Sequence, residues 1–101
     1  MQVLGCDMDL LREIAVLFLA ECPHRLTDLH AALGRRDLQA VERIAHSLKG
    51  SMSNFVATHA VAAAAMVERV AHDGDGVAAV EASAALEREV ARVQQALAEL
   101  C

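Results

Sequence analysis

Aromatic residues are nearly missing from this 101-residue chain: it has two phenylalanines, Phe18 and Phe55, and neither tryptophan nor tyrosine. Strand-rich domains draw on aromatic and β-branched residues, so the composition speaks against a sheet-based core. Proline occurs once, at Pro23, and glycine five times, too few for a loop-rich or extended chain. The three cysteines, Cys6, Cys22 and Cys101, are odd in number and widely spaced. They fit neither a disulfide framework nor a zinc motif and read as reduced thiols of a cytoplasmic protein. Basic residues are outnumbered 9 to 14, the formal net charge is -5, and only Arg35 and Arg36 adjoin. Such a chain has no basic face for nucleic acid and no polybasic patch for a membrane surface. The candidate apolar run, VAAAAMV at 61–67, falls well short of the roughly 18 to 20 residues that a bilayer span needs. No basic n-region leads into an apolar run at the start, so no signal peptide is read.

What remains is rich in alanine and helical spacing. Hydrophobic residues make up 55% of the chain and charged residues 23%, the balance of a folded domain, here a single one over residues 1–101. Asp7 and Asp9 are candidate caps for a first helix carrying Leu10, Ile14, Leu17 and Phe18. Pro23 suits the first turn of a second helix, striped by Leu26, Leu29 and Leu33. Asp37 caps a third helix, whose apolar positions Leu38, Val41, Ala45, Leu48, Met52 and Phe55 step by three and four. A fourth helix runs from about Ala57 or Thr58 to His72, with Val61, Ala64, Val67, Val70 and Ala71 inward. DGDG at 73–76 is a turn. Its aspartates lack the further oxygen ligand of a calcium loop, since Val77 stands there. A fifth helix, from Val77 to about Leu100, is striped by Leu86, Val90, Val93, Leu97 and Leu100. The expected fold is all-α: an antiparallel, up-and-down four-helix bundle with an additional N-terminal helix capping one end.

The stretch AHSLKG at 45–50 breaks the helical economy. A glycine inside a helix costs roughly 1 kcal/mol relative to alanine. At about 100° per residue, His46 falls roughly 130 to 140° from the centre of the apolar stripe. Its face-mates are Gln39, Glu42, Arg43, Lys49, Gly50 and Ser53. A helix crossing would place glycine on the apolar stripe, and Gly50 is not on it. An exposed imidazole is a competent nucleophile toward phosphorus. Lys49, three residues on, offers charge to a transferring phosphoryl group. Gly50, one turn on, leaves a flat notch where a second protein can approach. The other histidines read as surface residues: His24 and His30 do not superpose on one face, His59 stands alone, and His72 meets a helix C-terminus.

AHSLKGSMSNFVA, residues 45–57, resembles the signature of histidine-containing phosphotransfer domains. The resemblance extends over nearly the whole chain: the run AVLFLAECPHRLTDLHAALGRRDLQAV is similar to the helices that lead into the histidine helix. MVER at 66–69 stands where the family often has a leucine-glutamate pair. The resemblance implies that His46 accepts a phosphoryl group from a receiver-domain aspartate and passes it to another receiver. Lys49 would be the supporting cation, and Gln39, Glu42, Arg43, Lys49, Gly50 and Ser53 the docking face. It implies no cofactor or metal bound by this domain, with Mg2+ supplied by the partner receiver. Response-regulator receivers are the expected partners, with the remainder of a hybrid sensor kinase as a further one, and a cytoplasmic monomer is expected. Where the family ends the helix with glycine, this chain has Val56, so either Asn54 takes a left-handed cap or the turn has another geometry. No phosphate-cradling loop or nucleotide motif is present, so the chain reads as a carrier and not a kinase. Two alternatives stay open: a phosphate-silent interaction module of the same fold, and the histidine domain of a chemotaxis-type kinase.

Overall fold

The computed structural model describes residues 8–55 and 57–100. Among these, four helices follow in chain order: α1 Met8–Gly34, α2 Leu38–Met52, α3 Thr58–His72 and α4 Gly76–Leu100. Each packs on its neighbour in sequence, α1 also packs on α4, and short connections make the bundle up-and-down and antiparallel. Among the described residues there is no strand. No described helix is long and apolar enough to cross a membrane.

Among the described residues, the first and second helices expected from the sequence are not separate. The chain runs through Pro23 as one 27-residue helix. The local rule that places proline at a helix start is overridden by burial. Ala15, Phe18, Cys22, Leu29 and Ala32 are buried on one continuous stripe that crosses the proline position. Breaking the helix there would rotate one half of the stripe out of the core. Pro23 itself is exposed, so its ring meets water and not a packed neighbour, and its carbonyl accepts from Thr27 Oγ1 at 3.0 Å. The stripe also differs from the expected one. Leu10 and Leu17 lie on the outside, Leu17 at 61% exposure, while Phe18 is buried. Two adjacent apolar residues on a helix point about 100° apart, and only one of them can face the core.

Asp37 caps α2 as expected, its Oδ1 accepting from the Ala40 amide at 3.2 Å. Val41, Ala45, Leu48 and Met52 are fully buried. α2 ends at Met52, ahead of Asn54. Phe55 leaves the helical stripe and stacks edge-to-face on Phe18, ring centroids 5.8 Å apart. In α3 the innermost residues are Ala60, Ala64, Val67 and Ala71, with Val61 and Val70 only half-buried. Positive φ occurs, among the described residues, at Arg36 and Gly74, which turn the chain before α2 and α4. Asn54 does not take a left-handed cap, so the turn after α2 has the other geometry. Asp7, Cys6, Cys101 and Val56 lie outside the described residues. Cys22 is buried and free, and burial pushes its thiol up to about 11 against a smaller lowering by Arg25.

Candidate functional site

α2 and α3 are 15 residues each and pack antiparallel along their full length, so a polar seam runs beside their shared apolar one. His46 stands on α2 with its side chain 69% exposed, and its Nδ1 lies 2.8 Å from Glu68 Oε2 on α3. The other oxygen of the same carboxylate, Oε1, lies 2.6 Å from Lys49 Nζ. Glu68 thus links the histidine and the lysine that the sequence placed on one face.

The protonation pattern follows from charge. Glu68 has its carboxyl held below the usual carboxylate range, first by the hydrogen bond from Lys49, with a smaller contribution from His46 and against a desolvation cost. An ionised carboxylate only accepts, so Nδ1 of His46 carries the proton and donates it. In the neutral ring the lone pair is then on Nε2, the nitrogen away from α3. Chemically the arrangement is an oriented imidazole with one nucleophilic nitrogen exposed, a carboxylate behind it, and an ammonium beside it.

The six face-mates of His46 divide in two. Gln39, Arg43, Gly50 and Ser53 are exposed and, spaced with His46 by steps of four, three, four and three, form the outer ridge of α2. Glu42 and Lys49 are half-buried and turn toward α3. Lys49 is 33% exposed. It belongs to the seam as well as to the wet face. Glu42 Oε2 meets His72 Nδ1 at 3.2 Å, a contact between residues 30 apart in the chain. Ser53 Oγ donates to the Gly50 carbonyl at 2.7 Å, which satisfies an end-of-helix acceptor. A Cβ built on Gly50 would meet nothing within 4 Å, so no helix crossing within the chain requires the glycine.

Glu68 is the site residue that the sequence leaves unassigned. MVER carries only a resemblance, and no local rule joins it to a histidine 22 residues away. A signal does exist: Glu42 and His46 are four apart, and so are Glu68 and His72. On two antiparallel helices that repeat places each carboxylate opposite the other helix's imidazole. A third cross-helix histidine–glutamate pair, His30 Nε2 with Glu87 Oε2 at 2.8 Å, ties α1 to α4 on another face of the bundle.

The family model for the Hpt domain matches residues 13–96, and the chain belongs to that family of histidine-containing phosphotransfer domains. No curated protein and no solved structure matches it. Hpt domains carry phosphoryl groups in two-component signalling, meet response-regulator receiver domains, and are carriers and not enzymes in themselves.

Proposed function

We propose that His46 is the phosphoacceptor of this domain and that Nε2 is the atom that bonds phosphorus. One observation carries the reading: a single carboxylate, Glu68, engages Nδ1 of His46 and the ammonium of Lys49 together. The Nε2 lone pair attacks the phosphorus of a receiver's aspartyl phosphate. The P–O bond to the aspartate breaks, and its electron pair leaves with the carboxylate. Nδ1 keeps its proton, and the positive charge that forms on the ring is met by Glu68 behind it. Lys49 is close enough along the helix face to meet the phosphoryl oxygens. The reverse sequence, with another receiver's aspartate as nucleophile, unloads the histidine. Mg2+ belongs with the receiver's aspartate in this scheme, and this chain supplies the nucleophile and a docking ridge around it.

The ridge of Gln39, Arg43, Gly50 and Ser53 is the proposed receiver contact, with Gly50 as the low point beside the imidazole. Phosphoryl transfer from a phosphorylated receiver, with His46→Gln alongside, tests the assignment. An acid-labile, base-stable phosphate is expected on wild type alone. His46→Gln should keep wild-type helicity and melting, because the side chain is exposed. Labelling of both proteins would move the site to another histidine. Labelling of neither, by several receivers and by phosphoramidate, would leave the phosphate-silent interaction module as the better description.

A further inference from the structure

The seam beside His46 holds a second carboxylate. Glu42 precedes His46 by four residues on α2, one turn away at about 6 Å of rise along the axis. Residues at that spacing on a helix face reach each other, and a glutamate there favours a positively charged partner. Glu42 nevertheless reaches across to α3, where His72 Nδ1 holds its Oε2 at 3.2 Å. His72 is the partner that the structure gives Glu42 among the described residues.

We infer that His72 is a positioning residue for the phosphoacceptor: it holds the Glu42 carboxylate on the α3 side and so keeps Nε2 of His46 unpaired and free of a second neighbouring anion. The inference rests on the proposed phosphoacceptor role of His46 and extends it to a residue that touches neither His46 nor phosphate. Its chemistry is definite. Nδ1–H of His46 is already given to Glu68. A second carboxylate reaching the ring finds only Nε2, and it binds there only when Nε2 carries a proton. Release of Glu42 therefore shifts His46 toward the imidazolium, which has no lone pair to attack phosphorus. The same charge also opposes the approach of a phosphoryl anion. Glu68 does not cover Nε2 in this way, because its carboxylate lies behind the ring on the Nδ1 side and is shared with Lys49.

The experiment is a double-mutant cycle on the whole chain with phosphoramidate as donor, which needs no docking partner. In that reaction the P–N bond of the donor breaks, ammonia leaves, and phosphorus bonds Nε2. His72→Ala should slow labelling at least about three-fold, the effect of one unit charge near 6 Å screened as in bulk water. In the Glu42→Gln background the same substitution should leave the rate unchanged, since no anion is left to release. Imidazole 15N shifts of His46 near neutral pH supply a readout that does not need phosphate. They should move toward the doubly protonated ring in His72→Ala and return to wild-type values in His72→Ala/Glu42→Gln. Equal slowing in both backgrounds, or no slowing with unmoved 15N shifts, overturns the inference. If wild type takes no label, the phosphoacceptor reading falls, and the 15N shifts alone decide whether His72 restrains Glu42. His72 is exposed at a helix end, so circular dichroism is expected to show all three variants folded.

Discussion

A carboxylate that accepts from two donors, as Glu68 does from Lys49 and His46, stays ionised further into acid than a lone glutamate. Its folded pKa lies below the unfolded value of about 4.3. The pairing therefore stabilises the fold fully above that value and is lost as pH falls through the lower folded one. Glu68→Gln should lower stability at neutral pH and lose less on acidification than wild type. Urea midpoints from neutral pH down to about pH 3 check this, and parallel curves for the two proteins would reject the linkage. At this scale the sequence is informative about residues that share a helix. His46, Lys49 and Gly50 are read from spacings of three and four along α2. Glu68 and His72 are not read from one helix alone: the matching four-residue spacings assign partners only once it is known that α2 and α3 meet antiparallel on these faces, and that is settled by packing.

Two helices each carry a residue that lowers their stability. α1 has Pro23 in its interior, where proline forfeits a hydrogen bond and crowds the carbonyl of Leu19. Pro23→Ala should raise stability by about 1 to 3 kcal/mol, measured by urea unfolding, with the helix content of the native state unchanged. No gain would mean that the local backbone has already adjusted to the proline. Pro23 is also the point at which a boundary rule misleads a reading of the sequence. The residues that decide the matter, Ala15 and Phe18 on one side and Leu29 and Ala32 on the other, are apolar at compatible phases on both sides of it. α2 has Gly50, exposed and with open space where a Cβ would stand. Gly50→Ala should stabilise by about 0.5 to 1 kcal/mol. It should leave phosphoramidate labelling intact and slow transfer from a receiver, and rates with the two donors separate those effects.

The whole molecule is an elongated bundle with principal extents of 42 × 22 × 18 Å. α1 and α4, at 27 and 25 residues, span about 40 and 37 Å at 1.5 Å per residue, against about 22 Å for α2 and α3. The long pair extends past the end of the α2–α3 hairpin, and Phe18 and Phe55 meet where the hairpin stops. All four helices contribute to one core through Leu29, Leu48, Val67 and Leu86, each fully buried. Leu48→Ala should cost about 2 to 5 kcal/mol, whereas Leu17→Ala, at an exposed position, should stay within about 0.5 kcal/mol. Equal losses in urea unfolding would show that the outer face of α1 is covered in solution. The bundle class is legible because alanine-rich three-four spacing, scarce aromatics and short connections leave few other solutions. The number of helices is not, since one proline among 27 residues carries less free energy than the stripe it interrupts.

Gly50 has a consequence for how such a domain responds to selection. A population of variants sorted only for resistance to heat or protease would accumulate alanine at position 50, since the open space there penalises nothing. The survivors would be better folded and, with Gly50 in its proposed docking role, slower to meet a receiver. On the proposed docking role of Gly50, a glycine kept under such sorting would mark selection by a partner acting against selection by temperature.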